Sequence, residues 1–354
     1  MEPTTLTRPD LKERWHAYRR AHPTTRIRNA AADLGVSEAD LLAADEGDGV
    51  TRLDGGWGAL LQELEALGEV MALTRNDACV HEKTGVYRNV KLFESHRMGL
   101  VLDEQIDLRL FLERWRFGFA VETPWEGGQD GLRRSLQFFD AHGTAVHKVF
   151  LTRRSDVAAY DRLVAKYRYA GSEPLPPVEP RPVPEPETPD AAVDRAALLQ
   201  DWAELRDTHD FFPMLKTHGV SRPQALRLAE GTFTERVEPA SARQALEHAA
   251  ATETPIMVFV GNPGCIQIHT GPVRRLKATP PWFNVLDPGF QLHLNEEGIA
   301  SAWVVRKPTR DGTVTALELF DAGGDVIAQF FGKRKPGLPE REDWRAIVAA
   351  LPRA

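Results

Sequence analysis

The chain has 354 residues, 42% hydrophobic and 27% charged, the balance of a globular protein able to bury real cores. Its formal net charge of −7 argues against an electrostatically driven nucleic-acid binder and against a polybasic membrane-surface protein. Two cysteines cannot build a disulfide framework, no apolar run reaches membrane-spanning length, and no basic-then-apolar leader opens the sequence, so a soluble cytoplasmic protein is expected.

In chain order, Leu11, Trp15 and Tyr18 fall at helical spacing with Pro9 near the start, which predicts a first helix. Residues 27–44 read as helix, turn at Gly35, helix. Small residues, a turn glycine and the Ser37 cap are the grammar of a helix-turn-helix DNA reader. The second helix, however, carries Glu38, Asp40, Asp45 and Glu46, the wrong sign for phosphates. A structural hairpin is expected there, and a DNA-binding regulator is the alternative outside the ligand-binding class. After Trp57, the residues Leu60, Leu61, Leu64 and Leu67 form another helical face.

From Glu69 the period shortens. Runs at 70–73, 78–81, 86–90, 106–112, 117–121, 136–140 and 146–151 predict consecutive strands, with turns at Thr84-Gly85, Gly127-Gly128 and His142-Gly143. Helices followed by strands on short turns predict an α+β fold with a large antiparallel sheet. Within 106–112, alternation sets Ile106, Leu108, Leu110 and Leu112 on one face and Asp107, Arg109, Phe111 and Glu113 on the other. Arg109 and Phe111 on one face suit a ligand wall, or equally a solvated surface.

The second half repeats the first. Asn76 through Gly85 lies over Asn262 through Gly271 at a separation of 186 residues, with Cys79 over Cys265. Phe139-Asp140-Ala141 lies over Phe320-Asp321-Ala322, and Leu34-Gly35-Val36-Ser37 over His218-Gly219-Val220-Ser221. Two copies of this size mean a tandem duplication. The expected domains are residues 1–170 and 191–354, joined by a proline-rich linker at 171–190. As a polyproline II strap at about 3.1 Å per residue, that linker spans roughly 60 Å. The second copy keeps the order of elements and closes with a helix at 344–351. His293 and Asn295 stand where Arg109 and Phe111 do, as expected if one composite site survives.

In that copy Leu198, Trp202 and Leu205 keep helical spacing up to Asp207-Thr208-His209-Asp210-Phe211-Phe212-Pro213, where the proline predicts that the helix ends or kinks. His209 is thereby left at a seam between two carboxylates and two phenylalanines, although a packed histidine is the commoner role. The last strand runs through Phe330-Phe331 into Lys333, Arg334 and Lys335, matched in the first copy by Arg153-Arg154. Cations beside aromatics fit a flat apolar ligand with carboxylate arms, or a solubilised strand end. The cysteines lack a CxxC pattern and read as buried strand residues. No P-loop, HExxH, GxSxG or dinucleotide fingerprint occurs, and the 11 histidines form no metal-ligand cluster.

Six segments together resemble the HemS/HmuS family of cytoplasmic haem-binding, haemin-degrading factors: Met71-Ala-Leu-Thr-Arg-Asn, Val80-His-Glu-Lys-Thr-Gly, Ile106-Asp-Leu-Arg-Leu-Phe, Gln267-Ile-His-Thr-Gly-Pro, Trp282-Phe-Asn-Val-Leu-Asp-Pro and Gln329-Phe-Phe-Gly-Lys-Arg-Lys-Pro-Gly. The resemblance covers nearly the whole chain outside the strap. It implies two similar α+β halves with a haem (iron protoporphyrin IX) in a cleft between them. It implies His209 as the proximal axial ligand of the iron, Arg109 on the distal side and Phe111 against the macrocycle. Lys307, Gln329, Phe331 and Arg334 are implied around the ligand. Ala328 stands where relatives often have tyrosine, and Asp210 stands beside the axial histidine where some relatives carry further histidines. His22 lies over His209 but lacks the phenylalanine pair, and reads as a vestige. A neighbouring carboxylate suits an imidazole ligand, and an arginine is always a donor.

The implied function is haem traffic from an import transporter to a downstream haem oxygenase or acceptor, or haem degradation with release of iron. Sequence does not separate the two, because haem itself carries the oxygen chemistry. Neither membrane insertion nor a nucleic-acid partner is expected. A haem-free ligand-binding scaffold is the remaining alternative.

Overall fold

The helical stripes and alternating runs of the sequence become a chain of helices and strands written twice. The computed structural model describes residues 8–93, 97–183, 185–334 and 337–354. Lys335, expected among the cations of the last strand, lies outside them.

In the first repeat, α1 (Arg8–Ala21) buries Leu11 and Trp15, with Tyr18 packed against them. Helix α2 (Ile27–Leu34) stops at Gly35, whose φ of 71° is the left-handed conformation that favours glycine. Helix α3 (Glu38–Ala44) opens on a capping box between Ser37 and Asp40. It buries every residue except Asp40, so it has no face to lay in a DNA groove. Then follow β1 (Val50–Arg52), α4 (Trp57–Glu63) with a 3-10 turn at Leu64–Leu67, and β2 (Gly68–Arg75). Leu60, Leu61, Leu64 and Leu67 are all buried, as the spacing predicts. The repeat continues through β3 (Cys79–Gly85), β4 (Val90–Phe93), β5 (Met98–Leu102), β6 (Asp107–Phe111), β7 (Phe117–Gln129), β8 (Leu132–Phe139), β9 (Ala145–Ser155) and α5 (Val157–Tyr167).

The second repeat contains α6 (Arg195–Ala203), α7 (Phe211–His218), α8 (Arg222–Leu228), β10 (Thr234–Val237), α9 (Ser241–Ala251), β11 (Ile256–Asn262) and β12 (Cys265–Gly271). It ends with β13 (Leu276–Thr279), β14 (Trp282–Asp287), β15 (Phe290–Asn295), β16 (Ser301–Lys307), β17 (Val314–Phe320), β18 (Val326–Gly332) and α10 (Glu342–Ala349). The strands form two nine-stranded antiparallel sheets, ordered β1-β7-β8-β9-β2-β3-β15-β14-β13 and β10-β16-β17-β18-β11-β12-β6-β5-β4. The α+β class and the duplication are as expected.

The compact units do not follow the repeats. The first holds Met1–Thr74 and Lys83–Pro182 together with Asn262–Ile266; the second holds Arg75–Glu82, Val183–Gly261 and Gln267–Ala354. Each unit thus includes a hairpin tip of the other repeat, and an asparagine fastens each tip. In the second unit, Asn76 Nδ2 donates to the carbonyls of Gly261 (3.1 Å) and Ile327 (2.8 Å), while its Oδ1 accepts from Ala78 and Cys79 N–H. In the first, Asn262 Nδ2 donates to Val146 O at 2.8 Å and its Oδ1 accepts from Gly264 and Cys265 N–H. Both cysteines are buried, as expected, and burial pushes the Cys265 thiol up to about 12, out of reach of thiolate chemistry.

Several local expectations are corrected. Thr84-Gly85 lies inside β3, and no strand covers 86–90; pairing resumes at Val90. Strand β5 was not among the expected strands. Its Gly99 is a packing position, where an added Cβ would stand 3.3 Å from Leu92 and Leu110 side chains. Gly127-Gly128 is not the β7–β8 turn either. Asp130 and Gly131, with φ of 53° and 73°, make that turn, and residues 125–128 bulge out of the ladder before it.

Candidate functional site

In the second unit the helix expected to break at Pro213 ends earlier, at Ala203, and a 3-10 turn at Thr208–Asp210 leads into α7. Pro213 sits in the first turn of that new helix, where its missing N–H has no intrahelical partner to lose. The turn is a capping box: Asp207 accepts from His209 N–H at 2.8 Å, and Asp210 accepts from Asp207 N–H at 3.1 Å. The same Asp207 oxygen lies 2.6 Å from His209 Nδ1. A carboxylate only accepts, so Nδ1 carries the proton and the lone pair of the neutral ring is on Nε2. The His209 side chain is 91% exposed. The His209 N–H, its ring and the charge of Arg334 hold the Asp207 carboxyl below its ordinary value. Of the two carboxylates that flank His209 in sequence, Asp207 is the one that touches the ring; the capping-box spacing was the available signal.

Below the turn the packing is rigid. Trp202 is fully buried, stacks on Phe233, meets Phe211 edge-on and donates from Nε1 to Arg306 O at 2.9 Å. Lys307 lies in this layer. Its ammonium bonds Glu318 at 3.0 Å and sits 4.2 Å above the Phe211 ring. Arg222 forks onto the same carboxylate at 2.6 and 2.7 Å. Burial alone would raise the Glu318 carboxyl, but the two cations overcome it and hold it ionised. Burial holds Lys307 below its ordinary value, as the surplus charge of two cations on one anion. Phe212 is 60% exposed beside this layer, with Lys216 over its ring.

Gln329 and Phe331 alternate on β18, across from Phe259 and Met257 of β11. All four are half-buried, and the Phe259 and Phe331 rings meet edge-on at 5.1 Å. Ala328 points the other way, fully buried in the core. Arg334 follows the strand end, 3.7 Å from Asp311.

In the first unit, Arg109 and Phe111 lie on the half-buried face of β6, while Leu108 and Leu110 are buried, as the alternation predicts. The Arg109 guanidinium bonds the Asp107 carboxylate and donates to Leu108 O at 3.2 Å. His22 lies beyond α1 with its ring against Tyr18, outside any arrangement like that of His209.

These features define a duplicated α+β protein whose second unit presents an oriented imidazole with aromatic and cationic groups nearby, a class built for holding a ligand. Residues 35–167 and 219–351 each match the haemin-degrading HemS.ChuX domain. The chain is 39% identical over 331 residues to the hemin transport protein HmuS of Yersinia pestis, covering 93% of this chain and 94% of that one. Its fold matches holo-PhuS, a heme-binding protein from Pseudomonas aeruginosa, with a TM-score of 0.95 at 48% identity over 99% of this chain and 100% of that one. It also matches the Escherichia coli O157:H7 heme degrading enzyme ChuS, with a TM-score of 0.89 at 36% identity over 98% and 100%. The chain belongs to the HemS/ChuX haemin-degrading family.

Proposed function

We propose that the protein binds haem through Nε2 of His209 and carries it, in the cytoplasm, from an import system to an acceptor or a haem oxygenase. The observation that carries this reading is the exposed His209 ring with its Nδ1 proton committed to Asp207. A neutral imidazole held in one tautomer by a carboxylate fits a haem iron ligand. Haem supplies the iron coordination when bound; this chain supplies the oriented donor, the aromatic faces and the cations. Phe331, Gln329 and Arg334 serve the ligand, and Arg109 and Phe111 are assigned to it on the family resemblance. Lys307 serves by positioning, because its ammonium is spent on Glu318 under the helix that follows His209. No helix of the described residues is long and apolar enough to cross a membrane.

Titration with hemin tests the reading. The wild type should develop a Soret band saturating at one hemin per chain. His209→Ala should shift the ferric spectrum and weaken binding, and His22→Ala should do neither. An unchanged spectrum in His209→Ala would overturn the assignment. A defined tetrapyrrole product, formed when the complex is incubated with a reductant and catalase, would add degradation to carriage.

A further inference from the structure

The bulge of the first repeat walls a cleft that the haem reading does not use. Strand β7 runs for 13 residues, against 7 in its counterpart β16, and the excess includes Trp125–Gly128, looped out between Pro124 and Gln129. The loop is fastened at three points. Trp125 N–H donates to Gly131 O at 2.7 Å, Arg153 Nε to Gly127 O at 3.0 Å, and Gln129 Nε2 to the carbonyls of Thr152 and Ser155 at 3.0 and 2.9 Å. Behind it lies a cleft of about 330 Å³, at the lower end of the range for small-molecule pockets.

Its lining has a definite chemistry. Three arginines line it, Arg133, Arg134 and Arg153, and among the described residues of its lining there is no Asp or Glu, in a chain of net charge −7. Glu122 pairs with Arg134 at 2.8 Å. The Arg133 guanidinium lies 4.3 Å over the Phe150 ring and 5.6 Å from that of Trp125, a cation set between two aromatic faces. A Cβ on Gly127 would fall 2.5 Å from the Trp125 ring, so glycine there lets the indole fold back over its own loop. Trp125 nevertheless stays 50% exposed, which a loop built only to cover the sheet end would not leave. Met71 faces Phe150 across β2 and β9 as Met257 faces Phe331 across β11 and β18, so the cleft occupies a duplicated sheet position rebuilt with a new wall. Among the described residues no histidine lines it.

We propose that this cleft of the first repeat is a second binding site, for a planar aromatic anion of one or two rings. The rings stack against Trp125 and Phe150, and the anionic group is taken by Arg133 and Arg153. The volume sets it apart from haem.

The probe is 1-anilinonaphthalene-8-sulfonate, a two-ring aromatic anion, compared with its neutral analogue N-phenyl-1-naphthylamine on the full chain. The wild type should bind one sulfonate dye, with energy transfer from Trp125 that is lost in Trp125→Phe. Arg133→Gln with Arg153→Gln should weaken the sulfonate dye about ten-fold or more while leaving the neutral analogue unchanged. Both arginines are exposed, and an unaltered hemin titration in the double variant will show that the fold is intact. Equal binding of the sulfonate dye to wild type and double variant would overturn the proposal. So would equal affinity for the two dyes, or release of the sulfonate dye by one equivalent of hemin.

Discussion

Asp207 decides which nitrogen of His209 is left as the acceptor. Its carboxylate takes the Nδ1 proton and caps the turn with the same oxygen, so ring and backbone are fixed together. Asp207→Asn should therefore keep haem binding but weaken it about ten-fold, the usual loss when a partner behind a metal ligand is altered; hemin titration at one fixed pH checks it. Arg109 presents the opposite case. Its bond to Asp107 is half-exposed, and pairs of that kind contribute about 1 kcal/mol or less. Arg109→Ala should leave the urea midpoint of the haem-free protein nearly unchanged and alter the spectrum of the complex. A large loss of stability would assign the residue to the scaffold instead. At this scale the sequence was legible where residue type alone spoke, as with the exposed histidine and the alternating arginine. It placed Lys307 around the ligand by resemblance alone and gave no sign of its burial against Arg222 and Glu318, which only the fold brings to it.

The helix that follows His209 rests on Phe211, and Phe211 rests on the cluster of Arg222, Glu318 and Lys307. The first unit has a pair at the corresponding helix start with the charges reversed: Glu38, beside the Ser37 cap, bonds Lys148 of β9 at 2.8 Å, where Arg222, beside the Ser221 cap, bonds Glu318 of β17. Both helix starts are clamped to a sheet, with opposite charges and through strands that are not counterparts in the two repeats. Glu318→Gln should destabilise the protein by about 3 kcal/mol or more at neutral pH, because the buried Lys307 and the half-buried Arg222 lose their counter-charge. Glu318 titrates below its unfolded value, so its contribution is complete above the ordinary carboxylate range and is lost as pH falls below it. The gap in urea midpoint between wild type and variant should therefore narrow on acidification; a gap constant with pH would contradict this. Elements read from periodicity, such as α1, α4 and β6, were legible because one face of each is buried against its own unit. The bulge in β7 was not, since its glycines read in sequence as a turn, and neither was the strand across Gly99, where glycine serves close approach.

At the scale of the whole molecule, the strap is fixed at both ends and loose only in a short stretch. Leu175 is buried in the first unit, Glu179 N–H donates to Ala141 O, and Arg181 reaches Thr144. Glu187 and Asp190 hold Arg227 in the second. Cleavage between Val183 and Pro186 should therefore leave the two fragments folded and eluting together on gel filtration, because each still carries a tip that completes the other's core. Separate elution would contradict that exchange. A fragment begun at Asp190 would lack Ala78 and Cys79 from its core and the Asn76 clasp. The repeat was legible in the matching asparagines and cysteines, but the exchange was not, since both tips read as ordinary hairpins of their own copies. The exchange also imposes an order on synthesis. A nascent first repeat leaving the ribosome has no Cys265 to set beside Thr74 and no Gly264 carbonyl for Trp115. Its core stays open until much of the second repeat has been translated, so folding cannot proceed one finished domain at a time. During that wait the first repeat should be a client for chaperones, and a pause in translation between the two tips would lengthen its exposure.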